Sequence, residues 1–328
     1  MECRSYWTLP GGRGEIRREA VGDPGEGEAL VETIVSGVSR GTESLVHLGR
    51  VPERVRALMR APFQRGDLPG EVCYGYLSVG EVTAVGPNTP GDLLGRRVFC
   101  LYPHVDAYVA PVSWLTPVPD DVPSERAVLA GAVETAVNAL WDGGPRLGDR
   151  IAVVGGGMIG ISVAGLLRRF PLARLELLDP DPAVAERARH IGVEWRDPAE
   201  GAGGCDLVFH ASSTAAGLAR SLELCGDEGE VVEMSWYGTT EPNVPLGVDF
   251  HARRLRIRAS QVGMVSESRR GRRSTADRMA IALDALTDPA FDHLLTGPVD
   301  LDDLPEAMDD IARGRTPAIC HVVRHRRT

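Results

Sequence analysis

The stretch VVGGGMIG, residues 153–160, constrains the fold of this chain more than any other feature of its sequence. It follows an apolar strand pattern and opens an apolar helix pattern, and Gly155, Gly157 and Gly160 have the spacing G-x-G-x-x-G. In that context the spacing predicts a phosphate-binding turn between a strand and a helix. The first glycine permits the tight turn, the second lets the backbone approach a pyrophosphate, and the third lets the helix pack closely on the strand.

The residues around this turn favour NAD as its ligand. Met158 and Ile159 open the helix, whose N-terminal N–H groups would face the phosphates, so both are predicted to bind the cofactor. The next strand pattern, RLELL, runs into Asp179, and no arginine follows in the adjoining PDP. A carboxylate there accepts hydrogen bonds from ribose hydroxyls and repels a 2′-phosphate, which favours NAD over NADP. A Rossmann-like domain that binds no cofactor remains the alternative.

Alternation of strand and helix patterns after Asp149 predicts the larger architecture. Units such as CDLVFHASSTAAGLARSLELCG repeat the order strand, turn, helix, which is typical of a parallel sheet covered by helices on both faces. Up to about Trp114 the chain instead has short β-rich runs separated by glycine and proline, typical of a compact β domain. The fold class is therefore α/β, with a β-rich domain beside a doubly wound parallel sheet.

The length of 328 residues is comfortable for two domains. We predict a dinucleotide-binding domain at residues 126–265 and a β-rich domain at residues 1–125 and 266–328. The second of these segments ends in a helix pattern and the strand pattern AICHVVRH. It is too short to form a core of its own, so we expect it to rejoin the N-terminal domain.

The charge of the chain excludes some classes of partner. A net charge of −10 and an isoelectric point of about 5.4 argue against a nucleic acid or an anionic membrane surface, because both require clustered positive charge. No window approaches the roughly 18 apolar residues that a membrane-spanning helix needs. The first 20 residues contain no apolar signal core, so we expect a cytoplasmic protein.

The order of these domains, with VVGGGMIG in the second, resembles the medium-chain dehydrogenase/reductase superfamily. The resemblance covers nearly the whole chain and is strongest from Asp149 to Gly238. It implies a GroES-like catalytic domain beside a Rossmann domain, with the active site in the cleft between them. It also implies an NAD(P)-dependent oxidoreductase acting on a small molecule and, by analogy, a homodimer.

The zinc-dependent members of that superfamily bind the metal through a cysteine, a histidine and a third cysteine or glutamate. The resemblance places Ser39 of SGVSRGTE at the first of these positions, Tyr76 of GYL at the second and Gly131 at the third, although a shift of three would bring Glu134 there. These residues do not supply the three ligands that a catalytic zinc needs. The six cysteines are scattered without a CxxC pair, so a structural zinc site is also excluded. We therefore expect a zinc-independent branch with no bound metal.

Without zinc, a side chain must exchange the proton that accompanies hydride transfer. Tyr76 is the first candidate, as hydrogen-bond donor to the substrate oxygen, and its alternative role is to fill the space of the metal. His104 of LYPHVD could shuttle a proton near neutral pH or lie exposed in its loop. Glu134 and Asn138 share one face of an apolar helix. Glu134 could hold the nicotinamide ribose, assist proton transfer or pair with an arginine.

Four further residues are assigned by position. In the superfamily the residue after the first ligand often meets the pyrophosphate, which would be Arg40, and Thr135 occupies a position that contacts the nicotinamide end. Ser235 lies at the end of a predicted Rossmann strand, where ligands gather. Glu43 is either a ligand of a polar substrate or a member of a buried ion pair, and the second role is favoured.

The sequence thus predicts a zinc-independent NAD(H)-dependent oxidoreductase that transfers hydride between the nicotinamide and a secondary alcohol or ketone. Polar groups in the expected cleft suggest a hydroxyl-rich substrate. Two alternatives are a quinone or enoyl reductase of the same superfamily and a dinucleotide-binding sensor without catalytic activity.

Overall fold

A computed structural model describes residues 1–326 and divides the chain into two compact units. The first unit comprises residues 1–131 together with the segment that begins at residue 295, and the second comprises residues 132–294. Each unit has its own sheet and its own buried apolar residues.

The first unit is built on a seven-stranded sheet and a separate hairpin. The hairpin consists of β1 (Glu2–Leu9) and β2 (Arg13–Ala20), which pair antiparallel. The sheet strands are β3 (Glu28–Ser39), β4 (Ser78–Val85), β5 (Arg97–Cys100), β6 (Ala107–Pro111), β7 (Thr116–Pro117), β14 (Leu295–Asp300) and β15 (Cys320–Arg324). Their order is β14-β15-β3-β4-β5-β7, and β6 also pairs with β3.

Strand β3 organises this unit and positions its candidate site. Alternate residues are buried in its first half, as expected for a strand with one face on the core, but every residue from Val35 to Ser39 is buried. The buried half therefore carries Ser36 and Ser39 into the interior. Helix α1 begins directly after it. The helices of this unit are α1 (Arg40–His47), α2 (Ser124–Ala127) and α8 (Leu304–Ala312).

The second unit contains a six-stranded parallel sheet. Its strands are β8 (Arg150–Val154), β9 (Arg174–Leu178), β10 (Glu194–Arg196), β11 (Cys205–His210), β12 (Cys225–Glu233) and β13 (Arg256–Ala259). The spatial order β10-β9-β8-β11-β12-β13 is the doubly wound order, in which ligands bind at the carboxyl ends of the strands. The helices are α3 (Ala130–Gly143), which starts in the first unit, α4 (Met158–Leu167), α5 (Ala183–His190), α6 (Ala215–Leu224) and α7 (Thr275–Ala285).

The predicted α/β fold with a Rossmann sheet and a β-rich domain is confirmed, but the division between the units lies elsewhere. Residues 266–294 belong to the second unit, whereas the sequence assigned them to the first. The reason is Arg278, which is 1% exposed and hydrogen-bonds Glu134 at 3.0 Å and Asn138 at 2.6 Å. This buried arginine fixes α7 on α3. The polar, arginine-rich sequence that precedes α7 gave no indication of this contact.

All six cysteines are buried and free of disulfide bonds. Within residues 1–326, none of the helices combines the length and the apolar character that crossing a bilayer requires.

We predict that Arg278→Met destabilises the protein by about 3 kcal/mol, because it leaves the buried Glu134 carboxylate without its cation. Arg272→Met provides the control, since Arg272 is exposed and precedes the same helix. It should change the free energy of unfolding by less than about 0.5 kcal/mol. Urea unfolding followed by circular dichroism measures both effects, and equal stability of the two variants would contradict the anchoring role.

Candidate active site

The glycine turn of the second unit has the geometry that its sequence predicts. Strand β8 ends at Val154, and Gly155 follows with a φ of +111°, a conformation that side chains rarely adopt. A Cβ atom on Gly160 would lie 1.8 Å from the carbonyl oxygen of Gly155, so only glycine permits this close packing of α4 on the turn. A Cβ atom on Gly157 would meet nothing within 4 Å. The turn therefore combines a tightly packed base with open space at the N-terminus of α4.

Asp179 lies beside this turn at the end of β9. One oxygen of its carboxylate accepts a hydrogen bond from the backbone N–H of Gly156 at 2.6 Å, and the other accepts one from Asp181 at 2.8 Å. The side chain is partly exposed. Its position next to the open N-terminus of α4 suits a ribose whose pyrophosphate binds the helix N–H groups. The residues present thus fit an adenine dinucleotide, with Met158 and Ile159 opening the helix.

We predict that Gly160→Ala lowers the stability of the protein, whereas Gly157→Ala weakens the binding of NADH. Gly160→Ala should destabilise the protein by about 1–3 kcal/mol, because its methyl group collides with fixed backbone. Gly157→Ala should leave the melting temperature nearly unchanged but weaken NADH binding at least tenfold, because its methyl group occupies the space open to the pyrophosphate. Thermal unfolding and NADH fluorescence titration measure the two properties. Unchanged NADH affinity in folded Gly157→Ala would contradict the assigned phosphate position.

A polar cluster occupies the carboxyl ends of β11 and β12. Nδ1 of His210 lies 2.7 Å from a carboxylate oxygen of Glu233, and Nε2 lies 2.7 Å from the hydroxyl of Ser212. The backbone N–H of Ser235 donates to Glu233 at 2.7 Å, and the Ser235 hydroxyl accepts from Ser213 at 3.1 Å. The predicted residue Ser235 is thus fixed at the strand ends where ligands gather.

The sequence analysis missed His210 and Glu233. Burial alone would raise the pKa of Glu233, but hydrogen bonding and charge attraction from His210 hold it below the usual range. One sequence pattern could have indicated both residues. In DLVFH and in EVVE, a short apolar run ends with one titratable residue. Such residues at the carboxyl end of a parallel strand merit attention as site candidates.

In the first unit, the positions that the resemblance equates with metal ligands carry other chemistry. Ser39 ends β3, and Tyr76 lies just before β4 with its side chain partly buried. Burial raises the pKa of Tyr76 to about 12, and the negative charge of Glu43 acts in the same direction. Hydrogen bonds of the phenol with Ser39 and Thr42 oppose this rise. The phenol therefore stays protonated near neutral pH and can donate a hydrogen bond.

The third position, Gly131, offers no ligand and is closely packed. A Cβ atom there would lie 2.6 Å from Cδ2 of Leu77, the residue that follows Tyr76. In the part of the chain that the structure describes, no three or more His, Cys, Asp or Glu side chains are grouped so that they could hold a metal ion.

Glu43 and His104 form a buried pair next to Ser39. Oε1 of Glu43 accepts a hydrogen bond from the backbone N–H of Ser39 at 2.7 Å, and Oε2 lies 2.9 Å from Nε2 of His104. Glu43 is 4% exposed and His104 is 1% exposed. The structure therefore shows the buried pairing favoured for Glu43. It also shows that His104 is not an exposed loop residue, which leaves the proton shuttle as its predicted role.

Other predicted site residues have mixed outcomes. Of the roles considered for Glu134, the structure shows the pairing with an arginine, Arg278. Burial raises the pKa of Glu134, while the charge and hydrogen bonds of Arg278 oppose the rise. Thr135 is partly exposed on the same helix, and Arg40 is exposed at the start of α1. The cofactor contacts assigned to Thr135 and Arg40 stay predictions.

Comparison with curated proteins found two relatives, and each match covers only part of this chain. The chain is 29% identical over 228 residues to 2-desacetyl-2-hydroxyethyl bacteriochlorophyllide A dehydrogenase of Rhodobacter capsulatus, and the match covers 66% of this chain and 68% of that protein. It is 33% identical over 175 residues to the spectinabilin polyketide synthase system protein NorB of Streptomyces orinoci. That match covers 47% of this chain but only 8% of NorB. No protein-family model matches the chain.

Solved structures match the chain over nearly its full length. The 2R,3R-butanediol dehydrogenase of Bacillus subtilis has a TM-score of 0.80 at 17% identity, covering 99% of this chain and 100% of that one. A candidate zinc-binding dehydrogenase from Sinorhizobium meliloti 1021, bound to NADP, has a TM-score of 0.79 at 16% identity, covering 99% of both chains. An alcohol dehydrogenase from Escherichia coli CFT073 with NADH has a TM-score of 0.76 at 17% identity, covering 98% of both.

At these identities the structural matches establish the fold. The three solved structures and the Rhodobacter relative are dehydrogenases by name, and two of the structures contain a nicotinamide cofactor, which supports the prediction of an NAD(P)-dependent oxidoreductase. The chain therefore has the fold of the medium-chain dehydrogenase/reductase superfamily, as its sequence predicted.

Proposed function

We propose that this protein is a zinc-independent, NAD(H)-dependent oxidoreductase that transfers hydride between the nicotinamide and a secondary alcohol or ketone. The observation that carries the proposal is the group around Ser39, where the superfamily places its metal. There a protonated phenol, Tyr76, lies beside a buried carboxylate–imidazole pair, Glu43 and His104. Such groups can exchange a proton with a substrate oxygen, which is the task that zinc assists in related enzymes.

The substrate class follows from this chemistry and agrees with the relatives. Tyr76 can donate a hydrogen bond to a carbonyl or alcohol oxygen, and the nearby Glu43 can accept the proton that alcohol oxidation releases. The bound nicotinamide would supply the hydride acceptor or donor. The matched proteins include a butanediol dehydrogenase and a dehydrogenase of a hydroxyethyl bacteriochlorophyllide. These names favour a small molecule with a hydroxyl group, in line with the hydroxyl-rich substrate inferred from the sequence.

Asp179 supports NAD as the cofactor. Its carboxylate is fixed beside the glycine turn by the N–H of Gly156, so its negative charge faces the place where a ribose would lie. This charge would repel a 2′-phosphate at that place. The adjoining residues 180–182 include no arginine that could bind such a phosphate. NADP is therefore disfavoured. By analogy with the superfamily, the assembly that we propose is a homodimer.

We expect metal analysis and activity to agree on zinc independence. The purified protein should contain far less than one zinc ion per chain, and a strong chelator should leave NAD-linked oxidation of a panel of secondary alcohols unchanged. The reason is that Ser39, Tyr76 and Gly131 do not provide three zinc ligands. Stoichiometric zinc, with activity lost to the chelator and restored by the ion, would overturn the assignment. NADPH-linked reduction of quinones or enones alone would favour the alternative reductase, and NADH binding without turnover would favour a sensor.

We predict that Tyr76→Phe lowers kcat by about 100-fold with little change in NADH affinity, because it removes the proposed hydrogen-bond donor and keeps the ring. Tyr74→Phe is the matched control, since Tyr74 is a buried neighbour whose ring meets that of Tyr76 edge-on at 6.2 Å. It should retain most of the activity. Steady-state kinetics and NADH titration measure both variants. Full activity in Tyr76→Phe would show that the tyrosine only fills the space of the metal.

A further inference from the structure

A continuous series of hydrogen-bonding distances leads away from the Glu43–His104 pair through the first unit. Nδ1 of His104 lies 2.7 Å from the hydroxyl of Ser36, and the same hydroxyl lies 2.9 Å from Nε2 of His325. Nδ1 of His325 lies 3.1 Å from a carboxylate oxygen of Asp106. The five side chains Glu43, His104, Ser36, His325 and Asp106 therefore form an unbroken row, which we name the relay row.

The relay row is buried along its length but has two different ends. Ser36 is completely buried, and the side chains of His104 and His325 are 1% and 0% exposed. One end, Glu43, accepts the backbone N–H of Ser39, and the side chain of Ser39 hydrogen-bonds Tyr76. The other end, Asp106, lines a cavity of about 270 Å³. Charged side chains of the first unit line the same cavity: Glu2, Arg4, Arg18, Asp302 and Arg326.

The number of protons in the relay row follows from its hydrogen bonds. The row contains four such contacts, between five groups, and each needs one proton to be a hydrogen bond. Two neutral imidazoles and one hydroxyl supply three protons, and two ionised carboxylates supply none. Full hydrogen bonding therefore requires one further proton, and a buried polar group without a partner would be costly.

We propose that the relay row holds one excess proton and conducts protons between Tyr76 and the cavity beside Asp106 during the oxidoreduction. This inference rests on the proposed function for its role in catalysis, although the excess proton can be tested without activity. In this proposal Ser36, His325 and Asp106 do not touch the substrate. They pass protons to and from Glu43 and His104.

The surroundings of the row favour a resting state with the excess proton near Glu43. Arg4 donates to Asp106 from Nε at 2.7 Å and from its backbone N–H at 3.1 Å. Burial alone would raise the pKa of Asp106, but its hydrogen bonds with His325 and Arg4 hold it below the usual range. Burial also lowers the pKa of His325, which keeps that imidazole neutral. Asp106 is thus ionised at rest, and His325 donates to it from Nδ1.

Other titratable groups face the row from the elements packed around it. They are Tyr6 of β1, whose ring lies 6.3 Å from that of His104, Tyr76 before β4, Cys320 of β15 and Arg4 of β1. Burial raises the pKa of both Tyr76 and Cys320, so these two groups carry no charge near neutral pH. At the cavity end of the row, Nε of Arg4 lies 2.7 Å from a carboxylate oxygen of Asp106. The positive charge of Arg4 stabilises the ionised form of Asp106.

The proton balance of one transfer is simple. Each of the four protons moves across its own hydrogen bond, from Glu43 to His104, from His104 to Ser36, from Ser36 to His325 and from His325 to Asp106. Glu43 is then ionised and takes up the proton that the substrate oxygen loses. That proton passes Tyr76 and the two side chains that hydrogen-bond its phenol, Ser39 and Thr42. Asp106 gives its proton to water in the cavity. One proton enters and one leaves, while the hydride goes to the nicotinamide.

The competing arrangement is two separate pairs without an excess proton. His104 would then carry its only proton on Nε2 and donate to Glu43, and His325 would donate to Asp106 from Nδ1. Both remaining imidazole nitrogens would face Ser36 with lone pairs, and one hydroxyl proton can serve only one of them. The two arrangements therefore differ in whether Nδ1 of His104 carries a proton.

Nitrogen-15 NMR of the imidazoles at pH 7, on the full chain without substrate, measures this difference. Signals are assigned by comparison with His104→Gln and His325→Gln. We expect Nδ1 of His104 to be protonated and His325 to be the neutral Nδ1–H form. A neutral His104 with its lone pair on Nδ1 would overturn the excess proton, whatever the activity of the protein.

Kinetics of Ser36→Ala and Ser78→Ala measure the conduction. Ser78 is completely buried and is the register partner of Ser36 on β4, but its hydroxyl lies outside the relay row. Ser36→Ala should lower kcat about tenfold at unchanged KM and enlarge the effect of D2O on kcat, because the row is interrupted. Ser78→Ala should match the unaltered protein. Equal kcat and equal D2O effects in both variants refute conduction, whereas absence of turnover in the unaltered protein refutes the proposed function and leaves the NMR result to decide on the excess proton.

Discussion

The carboxylate of Glu43 is the constraint on which the candidate chemistry of the first unit depends. It accepts the N–H of Ser39 where β3 passes into α1, and it meets His104 from the loop before β6. A carboxyl group buried to this extent is costly unless it is hydrogen-bonded. The pairing therefore fixes the end of β3, the start of α1 and the His104 loop relative to one another. Tyr76 is connected to the same place, because its phenol hydrogen-bonds the side chain of Ser39.

The parts of the protein that sequence reasoning predicted are those whose physical cause is local. The glycine turn needs a tight bend, an open approach and a close packing at Gly155, Gly157 and Gly160, and these requirements act on backbone within eight residues. Asp179 follows at the end of the next strand, so its place beside the turn is a property of the βαβ unit. The fold class was accessible for the same reason, because strand and helix patterns alternate with a regular period.

The parts that sequence reasoning could not supply depend on contacts between distant residues. Ser36 and His325 are 289 positions apart, and Arg278 and Glu134 are 144 apart. The sequence around each of these residues does not indicate its partner. For example, a buried arginine and an exposed arginine can have the same neighbouring residues in sequence. The assignment of residues 266–294 to the first unit went astray for this reason. His104 was selected by its residue type, but its burial and its two partners came only from the structure.

The replacement of metal ligands by Ser39, Tyr76 and Gly131 explains why a buried polar row would be useful in this chain. A metal stabilises developing negative charge on the substrate oxygen without a change in proton count. A phenol whose pKa is raised to about 12 stabilises that charge only through a hydrogen bond, because it is too weak an acid to give up its proton readily. A site that uses a phenol in place of a metal therefore needs other groups that bring protons to it and remove protons from it. A carboxylate–imidazole pair that continues through a hydroxyl to a second such pair meets that requirement with ordinary side chains.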